Sequence, residues 1–265
     1  MADAKARSDG PFAFIAALIA ADMRNVARNR LLALLAFMPL IVVLIYRFLI
    51  PDEAALTALA NERFSFDLEA FRPLIVNALN NLHALLMAIF VGLSASMIGA
   101  VYGLLLVEER EERLMASLRV MPVSFAAYMI ARLGLPTLIA MIITTLAYPV
   151  AGMAPLPMGK VFAIAAAGAT LVPVITLGVV AFAPGRVAAL ALVRLFTLAA
   201  VLPVTAWFIS PPTEWLFASI GAYWQMRALW SGMVGGPVWP DLAIGVAVNA
   251  LMTAVFYWRF LKRAE

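Results

Sequence analysis

Residues 83–122, HALLMAIFVGLSASMIGAVYGLLLVEEREERLMASLRVMP, set a long apolar run against a dense cluster of charge. Positions 83–107 contain no Asp, Glu, Lys or Arg, whereas positions 108–119 contain four Glu and three Arg. The apolar run exceeds the roughly 20 helical residues needed to cross about 30 Å of hydrocarbon. Immersing the seven charges that follow would cost about 2.5–3.5 kcal/mol each at the membrane centre, of order 20 kcal/mol together. The chain therefore crosses the membrane up to Val107 and leaves it at Glu108.

The same contrast recurs along the 265 residues, which are 65% hydrophobic and 13% charged, with a mean hydropathy of +0.98. Soluble domains carry about 25% charged residues, so this excess of apolar side chains has no place in a water-soluble core. The alternating pattern of a membrane barrel is absent, and helices alone satisfy their own backbone in lipid. The expected fold is an all-α integral membrane protein of six transmembrane helices, at about 31–50, 83–107, 130–151, 161–183, 188–209 and 241–261. Residues 1–265 form a single transmembrane domain. Residues 11–30, PFAFIAALIAADMRNVARNR, have too short an apolar run to span and end in Arg24, Arg28 and Arg30; they predict an interfacial amphipathic helix. Residues 210–240 hold four of the six Trp and are broken by Pro and Gly, which makes them a poor candidate for a straight span and predicts an extracytoplasmic segment whose aromatics anchor at the membrane interface.

Six spans place both termini on one side. Fourteen of the 19 Lys and Arg fall on that side, which makes it cytoplasmic and the membrane the inner one. Arg132, Arg186 and Arg194 read as snorkelling groups at this boundary. The formal charge of +4 is met by loops facing anionic lipid heads, and no nucleic-acid partner is expected. There are no cysteines and one histidine, which removes disulfides, thiolate chemistry and a histidine metal site.

The charged stretch keeps a helical pattern. Glu109 and Arg113 are an i,i+4 pair, Leu114, Leu118 and Met121 continue an apolar stripe, and Pro122 stops the helix. A topology signal needs only Lys and Arg; Glu interleaved with Arg above an apolar stripe suits a docking surface for a soluble partner. Residues 108–122 thus predict a short cytoplasmic helix between the second and third spans.

Glu109-Arg110-Glu111, followed by Met115, Leu118 and Pro122-Val123-Ser124, resembles the signature of permease subunits of type-2 ABC exporters, E-R-E-x-G-T-L-x-x-L-x-x-x-P-v-s. The spacing matches without a gap, while Arg113 and Leu114 stand where the family has Gly and Thr. A looser similarity to drug-export members is AYWQMRALW at 222–230, and that resemblance implies that 210–240 is an extracytoplasmic re-entrant or interfacial segment, with paired half-helices dipping into the outer leaflet in the re-entrant form. The resemblance implies that the 108–122 helix is a coupling helix, with Glu109, Arg110, Glu111, Arg113, Leu118 and Pro122 carrying the motion of a separate nucleotide-binding ATPase subunit. It also implies a second permease subunit, as homodimer or heterodimer. No G-x-x-x-x-G-K-[ST] phosphate loop occurs in the sequence, so ATP and Mg belong to the partner and this chain holds no cofactor.

Two further groups stand out. Asn77, Asn80, Asn81 and His83 cluster at the start of the second span, where they line a substrate path, sit at the outer interface or hydrogen-bond across helices. Gly92, Ser96, Gly99 and Gly103 share nearly one helix face and form a packing seam, internal or between two permeases. The expected function is a non-catalytic permease subunit exporting an amphipathic small molecule or lipid-like substrate. A secondary transporter would call for internal repeats and ionisable groups within the spans, and an intramembrane enzyme for paired carboxylates or a nucleophile at depth. Neither pattern is found, since every Asp and Glu falls in a predicted loop or at a span end.

Overall fold

The computed structural model describes residues 30–52, 54–56, 72–112 and 125–264, with single positions at 24, 28 and 58. The interfacial helix expected over 11–30 and the coupling helix beyond Glu112 otherwise lie outside the described residues. The described chain folds into α1 (Arg30–Leu49), α2 (Arg72–Asn80), α3 (Leu82–Glu111), α4 (Phe125–Ala151), α5 (Met158–Ala169), α6 (Leu171–Phe182), α7 (Arg186–Val201), α8 (Gly221–Met233) and α9 (Trp239–Ala264). Two 3-10 turns, Leu202–Phe208 and Thr213–Phe217, join α7 to α8. No strand occurs among the described residues.

Among the described residues, five stretches are long and apolar enough to cross a membrane: Leu82–Glu111, Tyr128–Ala151, Met158–Phe182, Arg186–Phe208 and Trp239–Lys262. The span expected over 31–50 is instead a shorter apolar helix, Ala33–Leu49, about 25 Å long at 1.5 Å per residue. α3 is apolar all round, and such a helix is stable only when surrounded. It is accordingly the axis of the bundle, buried almost continuously from His83 to Val107. The outer helices bury one side and turn large apolar side chains outward, among them Phe37 on α1, Ile130 on α4, Leu195 on α7 and Leu251 on α9. Such an exterior suits lipid rather than water.

The small residues of α3 let its neighbours approach. A Cβ added at Gly99 would lie 3.0 Å from the Val172 carbonyl oxygen, one at Gly103 3.0 Å from Val179 Cβ, and one at Gly92 2.8 Å from the Ala200 carbonyl oxygen. Ser96 is fully buried and folds its hydroxyl back on the Leu93 carbonyl at 2.9 Å. The seam therefore packs α3 on α6 and α7 of the same chain. Thr176 of α6 reinforces it by donating to the Gly99 carbonyl at 3.0 Å, while the Ser94 and Thr144 hydroxyls, 2.7 Å apart, tie α3 to α4.

One end of the bundle gathers the C-terminus of α3, the N-terminus of α4, the α6–α7 turn and the C-terminal part of α9. There Phe125 stacks on Phe260 with ring centroids 6.3 Å apart, and Arg259 lies 4.5 Å above the Phe182 ring. The opposite end holds α8, with Lys160 of α5 donating to the Gly236 carbonyl at 3.2 Å.

Candidate functional site

The end of α3 projects four charged side chains, which between them reach three elements: α4, the C-terminus of α6 and the start of α7. Glu109 turns toward α4. Its carboxylate pairs with the Arg132 guanidinium and accepts the Tyr128 hydroxyl proton. Arg132 is only 2% exposed, so it does not snorkel to the surface as its sequence position suggests. Burial at that level requires a counter-charge, and Glu109 supplies it.

Arg110 points the other way. Its guanidinium donates to the Val180 carbonyl at 2.9 Å and the Ala183 carbonyl at 2.5 Å, at the C-terminus of α6. A helix leaves its last carbonyls without partners and carries partial negative charge there, so a cation fits. One residue further on, the Glu111 carboxylate accepts the Arg186 backbone N–H at 2.9 Å, the first N–H of α7. Gly185 before it has no side chain to cap the helix, and a carboxylate at a helix N-terminus meets partial positive charge. Glu108, one turn back on the same face as Glu111, pairs with the Arg186 side chain at 3.2 Å. The Arg-then-Glu order thus matches the electrostatic signs of the helix end and helix start that flank the Ala183–Gly185 turn.

The structure therefore places Glu109, Arg110 and Glu111 in contacts with their own chain, where the sequence pattern reads as an outward docking surface. Glu112, one residue on, is exposed. Arg113, Leu118 and Pro122 lie outside the described residues. The result is a clamp in which α4, α6 and α7 are all held by one helix end.

The asparagine cluster sits at the other end of α3. Asn81 donates to the Asn77 carbonyl at 2.9 Å and its side-chain oxygen at 2.8 Å, Asn77 and Asn80 are exposed, and the His83 ring lies 3.0 Å from the Pro51 carbonyl. The aromatic segment departs from a surface anchor: Tyr223 is fully buried and Trp224 is 4% exposed, while Trp215 and Trp239 remain outside. Arg227 lies 5.7 Å and 5.8 Å from the centroids of Trp215 and Trp224, with Asp241 at 3.5 Å, tying α8 to the start of α9. Sequence reasoning passed over Tyr128, Thr170, Gln225 and Asn249. For Asn249 the signal was present, an amide in the middle of the apolar 241–261 run.

A groove of about 830 Å³ opens between α4 and α9, lined by Met129, Leu133, Thr137, Leu177, Ala250 and Tyr257 and reaching Thr170 and Pro173 of the α5–α6 stretch. Among the described residues no group of three or more His, Cys, Asp or Glu is arranged to hold a metal ion.

A helical bundle with several membrane-length apolar helices and an apolar exterior defines a polytopic membrane protein. The chain belongs to the Rv2686c-like family of fluoroquinolones export permease proteins, whose model matches residues 22–257. It is 31% identical over 246 residues to the fluoroquinolones export permease proteins of Mycobacterium tuberculosis strains CDC 1551 / Oshkosh and ATCC 25618 / H37Rv, covering 90% of this chain and 90% of each relative. No solved structure matches it.

Proposed function

We propose that this chain is the membrane-spanning half of an ATP-driven ABC exporter, which carries an amphipathic small molecule out of the cytoplasm while a separate subunit hydrolyses ATP. The observation that carries this reading is the clamp: the Glu109-Arg110-Glu111 run grips three helices where the chain leaves the apolar bundle. A push on the 108–122 segment would be delivered to α4, α6 and α7 together. Arg113, Leu118 and Pro122 then belong to the surface that meets the ATPase, and two such permeases complete the pathway.

α1 serves as the first of six spans in this reading. Val42, Val43 and Tyr46 are buried among Met87, Phe90 and Tyr148, which makes α1 part of the bundle despite its shorter apolar length. Both termini are then cytoplasmic and the membrane is the inner one. The α4–α9 groove is large enough to admit a drug-sized apolar body, and fluoroquinolones, named in the relatives' descriptions, are the first compounds to test.

The test is purification of the chain with the ATPase it retains. Leu118→Asp with Arg113→Glu is expected to release that ATPase while the permease still inserts, and export from cells should stop. ATPase retained at the wild-type level would remove these residues from the contact. Export abolished by a protonophore but unaffected by loss of ATP would favour a secondary transporter.

A further inference from the structure

Thr170 lies twelve residues after Met158 and twelve before Phe182, at the centre of one membrane-length apolar stretch. Asn249 lies ten residues after Trp239 and thirteen before Lys262, close to the centre of another. Both therefore fall near the bilayer midplane, where polar side chains are costly unless they act. They are bonded to each other, the Asn249 amide donating to the Thr170 hydroxyl oxygen at 2.8 Å.

The helix breaks at this point. α5 ends at Ala169 and α6 starts at Leu171, and Pro173 has no N–H to offer the Ala169 carbonyl four residues earlier. Lipid tolerates such a break only where other donors satisfy the freed backbone groups. Beside the break, donors collect on one carbonyl, that of Ala167. The Ala167 carbonyl receives the Thr170 N–H at 3.2 Å, the Thr170 hydroxyl at 2.6 Å and the Gln225 amide at 3.2 Å. A carbonyl oxygen has two lone pairs, so one of the three donors can depart without orphaning it. Gln225 itself is fully buried, and its side-chain oxygen has no partner.

The two halves of the broken helix are tied to different ends of the bundle. α5 is held to α8 by Lys160 on the Gly232 carbonyl at 3.5 Å and by the Gln225 bond. α6 is packed on α3 at Gly99 and Gly103, and its C-terminus is gripped by Arg110. We infer that Thr170 is a hinge between these halves and that Asn249 and Gln225 are positioning residues for transport, keeping the Ala167 carbonyl satisfied while α5 with α8 bends against α6. The inference rests on the chain being an exporter and adds the point at which motion of the charged end reaches α8.

Pro173→Ala restores the missing N–H and tests the hinge without weakening the fold. Export of a fluoroquinolone is measured in vesicles holding the complete transporter, alongside thermal unfolding of the purified protein. Pro173→Ala should raise the unfolding temperature yet lower the maximal export rate about tenfold, with the half-saturating concentration unchanged. Thr170→Val should lower that rate likewise, and Thr170→Ser, which keeps the hydroxyl, should restore it. Pro173→Ala exporting at the wild-type rate would overturn the hinge, whether or not Thr170→Val folds. A wild-type transporter that moves no compound would instead overturn the exporter reading, and the hinge with it.

Discussion

Arg132→Met removes the cation from a pair in which the arginine is 2% and Glu109 14% exposed. The remaining carboxylate keeps the Tyr128 hydroxyl but loses its counter-charge in a site with little access to water. Breaking a buried pair from one side costs about 3–5 kcal/mol, because the orphaned charge is not resolvated. At roughly 2–4 °C per kcal/mol for a chain of this size, the unfolding temperature in detergent should fall by about 10 °C. Glu109→Leu combined with Arg132→Met removes both charges and is expected to recover most of that loss, since well-packed apolar groups often replace a buried pair at little cost. Arg132→Lys should recover only part, because an ammonium is a point charge without the guanidinium fork. Differential scanning fluorimetry of the four proteins decides the matter. A fall of less than about 2 °C for Arg132→Met, or a double variant as unstable as the single one, would refute the claim that the pair is buried and mutually dependent.

Arg110→Leu leaves the Val180 and Ala183 carbonyls uncapped and should cost about 2 kcal/mol, read as faster hydrogen exchange at residues 183–187 by mass spectrometry. Gly99→Leu forces a side chain against the Val172 carbonyl and should destabilise by about 1–3 kcal/mol in the same unfolding assay. Gly134→Leu, where an added Cβ meets nothing within 4 Å, should leave the unfolding temperature within about 1 °C while narrowing the groove and slowing export of bulky compounds.

The spans were legible because the penalty for a charge in hydrocarbon is large enough to be read from composition alone. That is why 83–107 and 130–151 coincide with parts of α3 and α4. The first span was less so, since Arg30 and Arg47 crowd an apolar run whose helix is only marginally long. Side-chain partners were a different matter. Glu109 is 23 residues from Arg132 in sequence, and Arg110 is 73 from Ala183, so their pairing depends on how helices pack, which no local pattern encodes. Locally, Arg132 looked like any basic residue near a membrane face. Tyr223 and Trp224 likewise read as interfacial by residue type, yet α8 folds inward and buries them.

The mixed signs of the charged stretch have a physical origin that topology alone does not supply. Lys and Arg alone would serve as a topology signal equally well. A purely basic end would satisfy the α6 carbonyls, but it would repel the first N–H groups of α7 and leave Arg132 without a counter-charge. The observed order serves all three contacts, with Glu109 for the buried guanidinium, Arg110 for a helix end and Glu111 for a helix start. Because these contacts lie within about one helical turn, α3 cannot rotate or slide without breaking several of them at once. A load carried by this end of α3 would therefore reach α4, α6 and α7 together, as the proposed coupling requires.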